Sequence, residues 1–195
     1  VGKQIILQGL KKCTFKNIVE DGTYLKKGSQ IAALSGPIVE ILKKERVILN
    51  LIQRLSGIAS TTQKLVRKTE KFGIQLLDTR KTTPGLRRFE KYAVFIGGGT
   101  NHRYSLKDSV MIKDNHLIGN SSFQESVDRA LAKNPNKDIQ VEVDSSNQLR
   151  EVLKTKVTSI LLDNFQPRSL AQAISMIRKK KKKIYIELSG GINMS

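Results

Sequence analysis

The spacing of apolar residues changes along the chain and divides it into three stretches. Residues 1–36 read as short strands joined by turns: the runs KQIILQG and GTYLKKGSQIAALSG carry the apolar positions, and Asp21-Gly22 and Lys27-Gly28 mark the turns. From Pro37 the period becomes helical, with Ile38, Ile41, Leu42, Ile48, Leu51, Ile52 and Leu55 on one stripe and Pro37 suited to a first turn. Ser56-Gly57 interrupts this helix, and IASTTQKLVRKTEKF predicts a second one ending near Gly73. Beyond it, strand-like runs alternate with amphipathic segments. IQLLD (74–78), SVMIKD (109–114), IQVEVD (139–144), SILLDN (159–164) and IYIEL (184–188) are the strands; SFQESVDRALAKN, SNQLREVLKT and PRSLAQAISMIRKK are the helices. Apolar strands between such helices predict parallel β/α units. The strand-like runs end in Asp78, Lys113, Glu142 and Asp144, Asp163 and Ser189, so polar groups gather at the C-terminal strand ends. Both a barrel and an open doubly wound sheet bind ligands there, and the pattern leaves the two open.

Composition narrows the function classes. No apolar run reaches the roughly 18 residues of a membrane helix, and no signal-peptide pattern opens the chain. Cys13 is the single cysteine, which excludes an internal disulfide framework and fits a reducing, cytoplasmic setting. A start at Val1 without methionine and a stop soon after a strand-like run suggest a piece of a longer protein. The net charge of +18 points to polyanionic partners. Lysines outnumber arginines 24 to 11, however, and many lie in scattered pairs such as Lys11-Lys12, Lys26-Lys27 and Lys43-Lys44, the pattern of solvated surface. The basic run Arg178 to Lys183 lies between an amphipathic helix and an apolar strand, which reads as a loop. Few aromatics and no tryptophan count further against nucleic acid.

Three groups could carry chemistry. Arg80, Lys81, His102, Arg103 and Lys113 would together suit a ligand with several negative charges, and an arginine fork donates two parallel bonds to a carboxylate or phosphate. Glu142 and Asp163 could hold Mg²⁺ through substrate phosphates, or could neutralise neighbouring lysines. The glycine runs in IGGGTNHR and SGGIN could present backbone N–H groups to a phosphate, or could be turns. His102 and His116 lack the spacing of a zinc site, Cys13 reads as a small core residue, and no G-x-S-x-G elbow occurs.

The segments ERVILNLIQRLSGIAS, DTRKTTPGLRRFEKYAVFIGGGTNHRYSLKDSVMIKDNHL, VEVD, ILLDN and ELSGGIN, in this order, closely resemble the quinolinate phosphoribosyltransferases (nicotinate-nucleotide pyrophosphorylases, carboxylating) from about Gly36 to Asn193. The resemblance implies an α/β type II phosphoribosyltransferase fold, an incomplete seven-stranded α/β barrel, truncated here, with an N-terminal α/β domain. Residues 1–72 would be the partial N-terminal domain, including the helices after Pro37, and residues 73–195 the partial barrel. It also implies a reaction: quinolinate and phosphoribosyl pyrophosphate give nicotinate mononucleotide, CO₂ and pyrophosphate, with Mg²⁺, in NAD biosynthesis. Carried over by motif, Arg80, His102 and Arg103 bind the quinolinate carboxylates, and Thr79 is a substrate-binding residue. Lys81 and Lys113 serve the pyridine and phosphate side. Glu142 and Asp163 face ribose and metal, and Ser189 and Gly190 approach a phosphate. Lys81, Lys113, Glu142 and Asp163 are the catalytic candidates, and Arg46 would reach the neighbouring site of a homodimer or higher oligomer. Arg87 and Arg88 stay open between pocket rim and surface. The rival readings are a molybdenum-transport-associated relative with another substrate, a basic nucleic-acid-binding module, and an inactive truncated remnant acting as a dimer partner.

Overall fold

Four strands that are apolar on one side and polar on the other organise the C-terminal half. The computed structural model describes residues 2–105, 108–113, 122–180 and 183–192. It divides into two compact units, Val1–Tyr104 and Ser105–Ser195. In the second unit, β3 (Val110–Ile112), β4 (Ile139–Val143), β5 (Ser159–Asp163) and β6 (Tyr185–Ser189) form a parallel sheet in sequence order. The register sets Val141 between Ile112 and Ile160, and Leu162 opposite Leu188. The helices α4 (Phe123–Lys133), α5 (Ser146–Val152) and α6 (Pro167–Lys180) supply the crossovers, as parallel neighbours require. Ser122 and Ser145 cap α4 and α5 by accepting the backbone N–H groups of Glu125 and Gln148.

Ile112, Val141, Val143, Ile160 and Leu162 pack against Val127, Leu149, Val152, Ala173 and Ile177 in one core. Side chains alternate along a strand. The opposite face therefore carries Lys113, Gln140, Glu142, Ser159, Asp163, Glu187 and Ser189, together with Met111, Leu161 and Tyr185. Parallel sheets are ordinarily apolar on both faces. A face this polar is a place for chemistry.

The first unit departs from the strand-and-turn expectation. KQIILQG is the helix α1 (Gly2–Gly9). Its apolar run packs as a helix, with Ile6 and Leu10 four residues apart and both buried against Ile48. A short apolar run fits either geometry until its neighbours are known. Of the expected strands only β2 (Ala33–Ser35) forms, antiparallel to β1 (Thr14–Lys16), while turns occur at Gly22 and Gly28, both with positive φ. Cys13 packs at the edge of the small core around Ile48.

Pro37 precedes one unbroken 32-residue helix, α2 (Ile38–Thr69), and the expected interruption at Ser56-Gly57 is absent. A mid-helix glycine costs roughly 0.5–1 kcal/mol relative to alanine, too little to break a helix anchored by buried residues on both sides. Leu55 and Thr62 are those anchors. The IQLLD run reaches only a single parallel bridge, Leu77 to Thr100, among the described residues. The segment RRFEKYAVFI, not expected as an element, forms α3 (Arg87–Ile96) and packs on α2. Gly97 makes that approach possible, since a Cβ there would lie 2.5 Å from the Ala59 carbonyl oxygen.

Candidate active site

The loop after Leu77 holds Asp78, Thr79, Arg80 and Lys81, and two buried carboxylates fix its course. Asp78 Oδ1 accepts the His102 backbone N–H at 2.8 Å and a close contact from Lys91 Nζ, and its N–H donates to the Thr100 carbonyl. Lys91 Nζ also donates to the His102 carbonyl at 2.9 Å and lies 4.7 Å from the Tyr104 ring centre. With the Asn101 amide oriented to satisfy its neighbours, its nitrogen donates to Asp78 Oδ2 at 2.7 Å and to the Lys91 carbonyl at 2.8 Å. Asp78 is therefore a structural hub.

Glu90 is the second carboxylate. Its Oε1 takes Arg54 Nε and Nη2 at 2.8 and 2.7 Å, and its Oε2 takes the Thr83 N–H at 3.1 Å. Burial alone pushes the Glu90 carboxyl upward, but the hydrogen bonds from Thr83 and Arg54 outweigh burial and hold it below its ordinary value of 4.5. A carboxyl depressed on folding contributes stability above its unfolded value, and that contribution is lost as pH falls through the folded value. The melting temperature is therefore expected to fall on acidification below about pH 4.5, and Glu90→Gln to flatten that part of the profile. An unchanged profile in thermal scans would remove Glu90 from this role.

These clamps place the candidate ligand groups of the first unit. Arg80 is half-buried, and its Nε is buried with no hydrogen-bond partner. Lys81 is exposed, and its N–H is fixed by Thr79 Oγ1 at 3.0 Å. His102 and Arg103 are half-buried in the loop that Asp78 and Lys91 hold. Arg87 turns out to be a staple, donating to Thr82 Oγ1 and to the Arg80 and Tyr104 carbonyls, whereas Arg88 is exposed. Arg46 is exposed on α2, beside Leu42, Val47 and Leu49, which are 62%, 63% and 45% exposed.

On the polar face of the second unit, Lys113 Nζ meets Glu142 Oε2 at 2.5 Å. Asp163 Oδ1 accepts Ser189 Oγ at 2.5 Å, and Asp163 Oδ2 accepts Asn164 Nδ2 at 2.9 Å. Asn164 has φ of 55°, and its N–H donates to the Ser189 carbonyl. Gly190 is obligatory beside it, because a Cβ would fall 1.9 Å from Asn164 Oδ1 and φ is already +79°. Lys113 with Glu142, and Asp163 with Ser189, are the pairs brought together on this sheet. Glu187 shares their face and was missed by the sequence reading, although its alternation with Ile186 and Leu188 was the available signal.

The other glycine run has a different use. The N–H groups of Gly97, Gly98 and Gly99 are taken by the carbonyls of Ala93, Phe95 and Val94, so this run ends α3 and does not cradle a phosphate. The first half of the basic run is not loop: Arg178, Lys179 and Lys180 form the last turn of α6, and Arg178 Nη1 donates to the Ile184 carbonyl at 2.7 Å. Lys181, Lys182 and His116 lie outside the described residues. No helix is long and apolar enough to cross a membrane among the described residues.

Comparison with known proteins places the chain in a family. The model of the quinolinate phosphoribosyl transferase C-terminal domain matches residues 58–195, and that of the N-terminal domain matches residues 1–56. The chain belongs to the quinolinate phosphoribosyl transferase family. It is 45% identical over 176 residues to the probable nicotinate-nucleotide pyrophosphorylase [carboxylating] of Bacillus subtilis, covering 90% of this chain and 60% of that protein. The protein of the same name from Synechocystis is 38% identical, with 93% and 62% covered. The solved structure of NadC from Streptococcus pyogenes superposes with a TM-score of 0.88 at 40% identity, covering 99% of this chain and 68% of that one. The chain thus spans about three fifths of the length of these two curated relatives. The four-stranded parallel sheet and its crossover helices among the described residues are an α/β arrangement that fits a truncated type II phosphoribosyltransferase fold.

Proposed function

We propose that this protein transfers phosphoribosyl from phosphoribosyl pyrophosphate to quinolinate with decarboxylation, giving nicotinate mononucleotide, CO₂ and pyrophosphate. The observation that carries the reading is Arg80: a buried guanidinium nitrogen without a partner, in a loop held by two clamped carboxylates. A buried charged donor left unpaired is costly, and an anionic ligand would satisfy it. Thr79, Arg80, His102 and Arg103 are assigned to the two carboxylates of quinolinate, with Lys81 beside them.

The ring nitrogen lone pair attacks C1 of the ribose as the C1–O bond to pyrophosphate breaks. Fixed cations oppose the repulsion between two polyanions and favour the leaving group without reorganising. The carboxylate next to the nitrogen then leaves as CO₂, its bonding electrons stay on the ring carbon beside the positive nitrogen, and a proton replaces them. The attacking nitrogen has no proton to lose, so no general base is needed for bond formation. Lys113 is assigned to the phosphate side, Glu142 and Asp163 to the ribose hydroxyls, and Ser189 with Gly190 to a phosphate.

The residues fit Mg²⁺ in one manner only. Glu142 is engaged by Lys113 and Asp163 by Ser189 and Asn164, and no group of three acidic, histidine or cysteine side chains is arranged around a metal among the described residues. Glu142 and Asp163 would hold an ion whose remaining ligands are substrate phosphates and water. Bound Mg²⁺ would neutralise charge on the pyrophosphate.

Exposed apolar residues around Arg46 support a homodimer that covers this stretch of α2 and brings Arg46 to the partner's substrates. Such an enzyme would work in the cytoplasm, on soluble metabolites. The test is to incubate the natural full-length protein with quinolinate, phosphoribosyl pyrophosphate and Mg²⁺. Nicotinate mononucleotide and CO₂ in equal amounts are expected; consumption of nicotinate or another base with quinolinate untouched would sink the assignment.

A further inference from the structure

We propose that Lys91 is a positioning residue for dicarboxylate binding: paired with Asp78, it sets the spacing between Arg80 on one loop and His102 and Arg103 on another. This rests on the quinolinate reading above. Lys91 lies on α3, outside the motifs assigned to substrate contact, and is 0% exposed. Lysine is almost never buried to that extent unless paired. Its ammonium has no path to a ligand, because it is enclosed by Asp78, the His102 carbonyl and the Tyr104 ring.

The geometry shows what the pair holds. Asp78 stands two residues before Arg80, and His102 immediately precedes Arg103. The carboxylate of Asp78 receives the His102 N–H, and Lys91 donates to the His102 carbonyl. Both backbone groups of one loop residue are thus gripped by an ion pair whose acid belongs to the other loop. Leu77 and Thr100 are joined only by an isolated bridge, so no extended ladder supplies this register. An apolar side chain of similar volume could fill the place of Lys91. It would leave the His102 carbonyl and the Asp78 carboxylate without their buried partner, so packing alone does not account for the residue. The Asn101 amide adds a third tie, from Asp78 Oδ2 to the Lys91 carbonyl.

The test uses Lys91→Met and the milder Asp78→Asn, which keeps an acceptor for the His102 N–H. Three quantities are measured well below each melting temperature: the Kd for quinolinate alone, the Kd for phosphoribosyl pyrophosphate alone, and hydrogen exchange at the His102 amide. Lys91→Met is expected to weaken quinolinate by at least tenfold and phosphoribosyl pyrophosphate by less than twofold, with His102 exchange faster by at least tenfold and the amides of β4 and β5 unchanged. Asp78→Asn is expected to shift the same quantities in the same direction by a smaller factor, and decides the matter if Lys91→Met does not fold. Equal weakening of both ligands, or wild-type quinolinate affinity in a folded variant, would overturn the positioning role. If the wild-type protein binds no quinolinate, the functional reading fails, and unchanged His102 exchange in either variant would then refute the clamp on its own.

Discussion

Arg80→Ala is expected to weaken quinolinate binding while leaving the melting temperature unchanged or slightly raised. Hydrogen bonds to charged groups contribute on the order of 1.5–3 kcal/mol each, so one lost contact corresponds to roughly 10- to 150-fold in Kd. Stability follows a different rule at this residue. The hydrogen bonds that tie Arg80 into its loop use its backbone carbonyl, which accepts from the Thr82 N–H and from Arg87 and survives truncation of the side chain. The Arg80 Nε, in contrast, is buried without a partner, so removing it relieves the folded protein of an unsatisfied donor. Sites kept ready for a ligand commonly trade stability for function in this way. Calorimetric titration and a thermal scan on one sample decide the point. A melting temperature lowered by several degrees with unchanged quinolinate affinity would make Arg80 a structural residue.

Ile160→Ala should produce the largest loss of stability. Ile160 is completely buried in β5, between Val141 of β4 and Ile186 of β6 in the register. Truncating such a residue removes apolar transfer energy and leaves a cavity, together about 2–5 kcal/mol. The side chain points to the helical layer, away from the face of Glu142 and Asp163, so the surviving folded fraction should keep its ligand affinities. Urea titration measures the change. A loss below about 1 kcal/mol would mean that the core closes around the gap, contrary to a close-packed interior.

The parallel half of the chain was legible because its strands are short, apolar and separated by amphipathic helices of the expected length. IQVEV, SILLD and the helix from Pro167 to Lys180 form where their patterns place them. The first half was harder, for reasons visible in particular residues. α3 escaped notice because two of its buried positions are Glu90 and Lys91, charged residues that erase the apolar stripe. Their partners, Arg54 and Asp78, lie 36 and 13 residues away, and no spacing rule connects them. KQIILQG was ambiguous until Ile48 was known to face it. In the candidate site, the exposed or half-buried cations could be recognised by type. The clamps behind them exist only as contacts, which makes them invisible in a linear string.

The long helix α2 carries a consequence for how this family can be taken apart. One family module ends at residue 56 and the other begins at residue 58, with Gly57 between them. That seam falls inside an uninterrupted rod of 32 residues, about 48 Å long at 1.5 Å per residue. Unit Val1–Tyr104 accordingly extends well past the seam. Units of descent and compact units of the structure therefore do not coincide. A chimera joined at Gly57 would splice a helix at mid-span and require Arg46 and Thr62 from different parents to share one axis. Exchanges between relatives should succeed more often between Tyr104 and Ser105, where one compact unit ends and the other begins, than at the boundary that sequence comparison suggests.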